Sequence, residues 1–184
     1  ALIMRLFSAL LLWAVMYRLS VALRQKYFHD RMWADLFYYS SFFVWFVPYL
    51  CVRFSSENYS TFFLLLALLF LTVDSKTYRN LGLAGTFLGF SALFRYQLAI
   101  PAAGIFLWLL IVARVPVRRV LISAGSFAGM IACGYLLDYL FYNEAVFTLW
   151  NYFKVNLIEG RAADFSTEPW YFYPKATSGE ELGG

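Results

Sequence analysis

Charged residues are scarce in this chain of 184 residues, of which only 14% are Asp, Glu, Lys or Arg. Soluble domains of this size are about a quarter charged and about half apolar, whereas 62% of this sequence is hydrophobic. The apolar residues are concentrated in long runs, as is typical of helices that cross a lipid bilayer. The composition therefore predicts an integral membrane protein and excludes an ordinary soluble domain.

Metal-ligating residues are also few. The sequence contains one histidine, His29, and two cysteines, Cys51 and Cys133, which lie in apolar stretches and form no Cys–x–x–Cys pair. Structural zinc sites need four such ligands at characteristic spacings. We therefore expect no metal site and no cofactor, and we expect His29 to be solvated in a basic connector.

Six apolar segments divide the chain, and several are shorter than the roughly 20 residues of a straight membrane-spanning helix. Short or broken helices are expected where a membrane protein lines a cavity, and Pro48 and Pro101 lie inside two segments, where proline disturbs helical hydrogen bonding. The segments are residues 2–23, 36–52, 61–73, 81–94, 96–113 and 120–137. The predicted fold class is all-α: a polytopic bundle of about six membrane segments, followed by an exoplasmic amphipathic segment.

Three glycines in the fourth segment, Gly82, Gly85 and Gly89, recur at helical spacing. Small residues on one helix face let two membrane helices approach closely. The spacing predicts a tight contact between this segment and another helix.

Basic residues are placed unevenly along the connectors. If the spans alternate in direction, eight cations fall on one face: Arg24, Lys26, Arg31, Lys76, Arg79, Arg114, Arg118 and Arg119. Positively charged connectors stay on the cytoplasmic side, so this face is predicted to be cytoplasmic, and the net charge of +4 is ascribed to topology instead of nucleic-acid binding. The opposite, exoplasmic face then receives Arg53, Arg95 and everything after Asp138.

The predicted domain organisation has three parts: a transmembrane helical region at 1–137, an exoplasmic segment at 138–173 and a flexible tail at 174–184. The exoplasmic segment contains "WNYFKVNLIEGRAADFSTEPWYFY". This stretch is too charged to cross a bilayer and too apolar for a solvated loop. Its Trp and Tyr side chains suit the headgroup level of a membrane.

Arg95 lies between apolar residues in "SALFRYQLAIP". A charge at membrane depth is usually paired or functional, but an arginine can also snorkel to the interface, and both interpretations stay open. Arg53 and Glu57 belong to a polar turn on the same side, which fits either a solvated capping loop or part of a site. Asp138 ends the sixth segment, where it either caps the helix or pairs with a cation, or else belongs to a site. The glycosylation sequon at Asn58 is expected to be unused, because it lies so near the membrane.

The predicted exoplasmic face combines cations, carboxylates and aromatic rings. Cations bind phosphate through strong charge-assisted hydrogen bonds, and amphipathic aromatic rings suit sugars or lipid headgroups. A lipid-linked phosphosugar has both parts, although the cavity of a transporter could carry the same mixture.

The stretch "LLDYLFYNEAVFTLWNYFKVNLIEGRAADFSTEPWYFY" resembles the glycosyltransferase family 22 mannosyltransferases. These are multispanning enzymes of the GT-C fold that include glycolipid-anchor and N-glycan α-mannosyltransferases. "SALFRYQLAI" and "CVRFSSENYS" also resemble segments of this family, and the likeness covers about residues 1–173. The positions that carry the main motifs are Asp138, Asn151, Asn156, Pro169, Trp170 and Tyr173.

The resemblance implies a membrane enzyme that transfers mannose, or a similar hexose, from a polyprenyl- or dolichyl-phosphate sugar to a glycan or glycolipid acceptor. The implied partners are this donor, this acceptor and the lipid bilayer, with no nucleic acid. The wording "RFSSEN" and "FRYQ" is closer to bacterial members of the family. We therefore expect the bacterial inner membrane, with the endoplasmic reticulum membrane as the alternative.

Inversion at the sugar needs a carboxylate base, which the family carries in its first exoplasmic loop in a motif like His–x–Asp–Glu. This motif does not occur in the sequence, so the catalytic carboxylate is expected upstream of Ala1, and the chain is expected to be an inactive fragment. Arg95 is the candidate for stabilising the leaving phosphate, with Lys154 or Arg161 second. The predicted substrate-binding residues are Arg53, Glu57, Arg95, Gln97, Asp138, Asn151, Lys154, Asn156, Arg161, Trp170 and Tyr173.

Two other function classes fit parts of the sequence. A flippase for lipid-linked oligosaccharides, or another polytopic transporter, would explain the spans and the intramembrane charge. It would not explain a long amphipathic exoplasmic segment. A non-catalytic scaffold subunit is the third possibility.

Overall fold

The computed structural model describes residues 2–43, 51–74, 77–144 and 148–158, and the regular elements in these ranges are helical. A 3₁₀ turn, Tyr96–Leu98, precedes α5, and a π-helical turn, Lys154–Ile158, follows α7. In chain order the α-helices are α1 (Leu2–Tyr27), α2 (Arg31–Phe43), α3 (Ser56–Val73), α4 (Tyr78–Phe94), α5 (Ala99–Ile111), α6 (Val117–Tyr142) and α7 (Thr148–Phe153). The predicted all-α fold class is confirmed.

Three helices of the described part, α1, α3 and α6, are long and apolar enough to cross a membrane. Helices α2 and α5 have 13 residues each and α4 has 17, which is short of the roughly 20 residues of a straight span. The prediction that several segments would be short is confirmed. The chain is thus a polytopic helical membrane protein.

The helices extend beyond the apolar runs from which they were predicted. Helix α1 continues to Tyr27, and α3 begins at Ser56, before the apolar run at 61–73. Polar residues at the headgroup level can still form helical hydrogen bonds, so hydropathy marks only the part of a helix that is embedded in lipid. The second segment is described only as far as Phe43, and Pro48 lies outside the described residues.

Helix α4 packs between α3 and α6, while α1 packs on α3, and α2 on α1. Leu81, Ala84 and Leu88 place one face of α4 in the core, at 1% exposure or less. The core is completed from α3 by Ala67 and Leu71. Burial of α4 on two sides makes it the central helix of this unit.

The predicted glycine contact is confirmed, and the partner of α4 is α6. A Cβ atom added at Gly85 would lie 2.7 Å from the Ser123 carbonyl carbon and 2.9 Å from its Cα. At Gly89 it would lie 3.1 Å from Met130 Cγ. Only a residue without a side chain lets the two backbones come this close.

Contacts at one end of the bundle define how the helices run. Lys26 Nζ donates to the Thr72 carbonyl at 2.7 Å, and the Arg119 guanidinium lies 5.4 Å from the Tyr78 ring centroid. The last turns of α1 and α3 and the first turns of α4 and α6 therefore share one end. This is the end at which the basic connectors lie, and its cytoplasmic location stays a prediction.

The chain forms two compact units, residues 1–144 and residues 145–184. In the second unit the described residues are α7 and the π-helical turn. The predicted regions 1–137, 138–173 and 174–184 stay predictions, because half of the exoplasmic segment and the whole tail lie outside the described residues.

Candidate functional site

Arg95 lies where α4 ends, so the predicted interruption of the helical pattern at this residue is confirmed. Its backbone is extended, with φ −151° and ψ 104°, and its carbonyl accepts from the Leu98 N–H at 2.9 Å. The chain resumes an α-helix at Ala99, and Pro101 occupies the first turn of α5, where backbone N–H groups have no intrahelical partner. Arg95 thus lies at the C-terminal end of α4, at the end of the bundle opposite the basic connectors.

Among the residues that the structure describes, the Arg95 guanidinium contacts one charged and one neutral side chain. Its Nη1 lies 2.5 Å from Glu57 Oε1, and its Nε donates to Gln97 Oε1 at 3.0 Å. The Arg95 side chain is 38% exposed and that of Glu57 is 51% exposed. The three side chains come from the end of α4, the start of α3 and the 3₁₀ turn, and they form what we call the Arg95 cluster. Of the two interpretations of Arg95, the structure supports the paired arginine.

Glu57 is placed by the first turn of α3. Ser55 caps this helix, and its Oγ accepts from the Asn58 N–H at 3.4 Å. The Asn58 side-chain nitrogen donates to the carbonyls of Cys51, at 3.3 Å, and Arg53. A carboxylate in the first turn also interacts favourably with the helix dipole. The backbone of Glu57 is therefore fixed by its neighbours.

These contacts also bear on the sequon Asn58-Tyr59-Ser60. The amide nitrogen of Asn58 is bound to backbone carbonyls, and Ser60 is 1% exposed. A glycosyl group attached at Asn58 would replace one of the two amide hydrogens, so the two hydrogen bonds could not both be kept. The geometry agrees with the expectation that the sequon is unused.

An aromatic wall lies beside the Arg95 cluster and consists of Phe54, Tyr59, Phe63 and Phe94. Tyr59 stacks on Phe94 with ring centroids 5.7 Å apart, and Phe63 stacks on Phe94 at 5.6 Å. Phe54 meets Tyr59 edge-on at 5.6 Å. The Tyr59 hydroxyl is 3.0 Å from Ser8 Oγ, which ties α1 to this end of α3.

Sequence reasoning did not single out the aromatic wall. A signal was present, because Tyr59 and Phe63 lie four residues apart at the start of α3, and side chains at this spacing share a helix face. The contact of both rings with Phe94 depends on the packing of α3 against α4.

The structure brings together Glu57, Arg95 and Gln97 among the predicted site residues. Arg53 is exposed just before α3, and Asp138 is half-buried on the last turns of α6. Both lie at the same end of the first unit as the Arg95 cluster. Their predicted roles stay predictions.

The remaining predicted residues belong to the second unit. Asn151 on α7 and Lys154 in the π-helical turn are exposed. Asn156 lies in the same turn. The predicted residues outside the described part of the chain are Arg161, Trp170 and Tyr173.

The Arg95 cluster has the chemistry of an anion site. A guanidinium carries five N–H donors, and the contacts from Nη1 and Nε use at most three of them. The planar fork of the remaining donors matches two oxygens of a phosphate. Partial exposure of Arg95 lets such a ligand reach it.

Comparisons with known proteins bear on the family of this chain. The model of the Alg9-like mannosyltransferase family matches residues 1–178. A protein of Candida albicans named GPI mannosyltransferase 3 is 29% identical over 130 residues, which cover 68% of this chain and 26% of that protein. A Yarrowia lipolytica protein of the same name is 34% identical over 85 residues, or 45% of this chain and 17% of that protein. No solved structure matches the chain.

This chain thus spans about a quarter or less of the length of these two yeast relatives. The family match, in contrast, extends over nearly the whole chain and confirms the resemblance to glycosyltransferase family 22. The chain belongs to the Alg9-like mannosyltransferase family.

Proposed function

We propose that this chain is part of a membrane mannosyltransferase in which Arg95 binds the phosphate of a polyprenyl- or dolichyl-phosphate sugar donor. Family membership supports the reaction class. The observation that carries the role of Arg95 is its ion pair with Glu57 at the end of α4, where the guanidinium is partly exposed and keeps donors for a second anion. A flippase would not require membership of a mannosyltransferase family.

The chemistry of transfer explains why a guanidinium suits this position. As the bond from the sugar to the carrier breaks, negative charge grows on the phosphate oxygens. A fixed cation that contacts those oxygens stabilises the transition state more than the ground state. Arg95 can contact two oxygens at once, which a lysine cannot do.

The surroundings of Arg95 suit a lipid phosphate. The cluster lies at a helix end, as expected for the headgroup level, and the aromatic wall offers an apolar surface next to it. A polyprenyl phosphate also combines a charged part with an apolar part, because its phosphate is followed directly by an isoprenoid chain. We therefore assign the donor side of the reaction to the Arg95 cluster.

The names of the two yeast relatives refine the acceptor and the location. Both are called GPI mannosyltransferase 3, so we propose a glycolipid as the acceptor class. Because both relatives come from yeasts, we favour the endoplasmic reticulum membrane over the bacterial inner membrane. The catalytic carboxylate is proposed to belong to a part of the enzyme outside this chain.

Substitution of Arg95 in the full-length enzyme tests the proposal. We expect Arg95→Gln to lower the turnover number by roughly a hundredfold, which corresponds to about 3 kcal/mol of lost transition-state stabilisation. Arg95→Lys is expected to restore only part of the rate, because a point charge cannot replace the bidentate fork. Turnover is measured as mannose transfer from a soluble short-chain donor.

The matched control is Arg118→Gln. This change removes the same charge from an exposed position at the start of α6, at the opposite end of the bundle, and we expect normal turnover. Membrane insertion and monodispersity are checked for each variant. Normal turnover in Arg95→Gln would contradict the assigned role, and lost turnover together with misfolding would make the Arg95–Glu57 pair structural.

A further inference from the structure

The carboxylate of Glu57 contacts Nη1 of Arg95 and therefore competes with an incoming phosphate for the charge of the guanidinium. The two side chains are 2.5 Å apart at their charged atoms, yet both are more than a third exposed. Ion pairs with this exposure are weak, because water competes for both partners. The contact between Glu57 and Arg95 can therefore open without unfolding the helices that carry it.

The two partners of Arg95 differ in what happens when an anion arrives. Glu57 is negatively charged and competes directly with a phosphate for the guanidinium. Gln97 is neutral and accepts from Nε at 3.0 Å, so it does not repel the phosphate. Gln97 can keep the guanidinium oriented while the Nη1 contact is exchanged.

The contacts of Glu57 hold its backbone and leave its side chain free to change rotamer. Its backbone belongs to the first turn of α3, where the Ser55 cap fixes the helix start, and its carbonyl accepts from Ser60 Oγ at 3.3 Å. The side chain is half-exposed and can rotate toward solvent by changing its rotamer. Rotation removes the negative charge from Arg95 and leaves the α3–α4 packing intact.

We propose that Glu57 is a displaceable counter-ion of Arg95, which the donor phosphate replaces on binding and which returns to Arg95 on product release. This inference rests on the proposed function, since it requires Arg95 to be the phosphate site. No covalent bond changes in the exchange, because one anion replaces another on the same guanidinium. Gln97 retains its contact with Nε throughout.

The exchange has a consequence for the product. The donor is a phosphodiester with one negative charge, whereas the product is a monoester that carries between one and two. The product therefore binds a bare arginine more tightly than the donor does. Competition from Glu57 weakens the binding of donor and product alike, and weaker binding of the product speeds its release. Removal of the Glu57 charge is therefore expected to slow product release.

The experiment measures the dissociation constant of a short-chain polyprenyl monophosphate for the full-length enzyme in detergent. We expect Glu57→Gln to bind this probe about threefold to fivefold more tightly than wild type, as expected for the loss of a competing exposed ion pair. Arg95→Gln is expected to bind it at least about tenfold more weakly. Glu144→Gln, which removes an exposed acid just after α6, is the control and should bind as wild type does.

Each outcome separates this inference from the proposed function. If Arg95→Gln binds the probe like wild type, both the phosphate site and the exchange are refuted. If Arg95→Gln weakens binding but Glu57→Gln leaves it unchanged or weakens it, the phosphate site stands and Glu57 is only a positioning partner. If Glu57→Gln fails to fold, Glu57→Asp is measured instead. The shorter side chain of aspartate places the carboxylate farther from Arg95, so Glu57→Asp should also bind the probe more tightly than wild type.

Discussion

The seam between α4 and α6 allows a sharp test of the fold through Gly85→Ala in the full-length enzyme. An added Cβ would lie 2.7 Å from the Ser123 carbonyl carbon and 2.9 Å from its Cα. Ordinary van der Waals contact begins near 3.4 Å, and the carbonyl oxygen of Ser123 would lie closer to the added Cβ than either carbon, so the two backbones must move apart. The obstructing atoms belong to the backbone, so no side-chain rotation relieves the overlap.

The magnitude follows from two opposing effects. Overpacking of this kind costs about 3 kcal/mol, at the upper end of the usual range, because two helices must separate. Replacement of glycine by alanine in a helix contributes about 1 kcal/mol in the other direction. We therefore expect Gly85→Ala to lower the free energy of unfolding by about 2 kcal/mol.

Other glycines provide matched controls for the same substitution. A Cβ at Gly129 on α6 would meet no atom within 4 Å, and at Gly82 it would lie 3.7 Å from Ser126 Oγ. Neither change forces the helices apart, so Gly129→Ala and Gly82→Ala should be neutral or slightly stabilising.

The assay is thermal unfolding in detergent, followed by the loss of the monodisperse peak in size-exclusion chromatography. The expected order of thermal stability places Gly85→Ala several degrees below wild type and both controls at or above it. Equal stability of Gly85→Ala and Gly129→Ala would refute the close contact between α4 and α6.

Three further predictions follow from the same bundle. Ser91→Ala should lower the free energy of unfolding by about 1 kcal/mol, because Ser91 Oγ donates a buried hydrogen bond to the Ser60 carbonyl at 2.8 Å; unchanged thermal stability would contradict this contact. Ser123→Ala should be neutral or stabilising in the same assay, since Ser123 Oγ is a buried group of the described part without a hydrogen-bond partner, and clear destabilisation would show that it has one. A cysteine introduced at Ser75 should react with an impermeant thiol reagent only from the cytoplasmic side, and labelling from the exoplasmic side would invert the predicted topology.

Much of the fold was predictable from the sequence, for a physical reason. A backbone in lipid must satisfy its own hydrogen bonds, so long apolar runs such as the one in α1 predict helices without knowledge of any partner. The interruption at Arg95 was also visible, because a charge between apolar runs marks the end of the embedded part. The spacing of Gly85 and Gly89 predicted a close helix contact, since periodicity alone places them on one face.

Sequence patterns were less informative about features that depend on contacts with neighbouring residues, such as the position at which a helix begins. The apolar run at 61–73 marks the embedded part of α3 but not its start at Ser56, which depends on the cap from Ser55. The likeness of "RFSSEN" and "FRYQ" to bacterial members stays a prediction, because the similarity to parts of two yeast proteins does not test the origin of the chain. Short polar stretches of this kind are set by local capping and surface requirements, which carry little information about origin.

The sequence by itself therefore determined the helical class and the family, and it identified Arg95 as a charged residue between two apolar runs. Only the tertiary structure decided that Glu57 pairs with Arg95, that Gln97 is its second partner and that the glycines of α4 face α6. Hydrophobic periodicity specifies which face of a helix is apolar or small, but it does not specify which helix covers that face. The antiparallel packing of α3 on α4 brings the start of one helix to the end of the other, and this packing creates the candidate site.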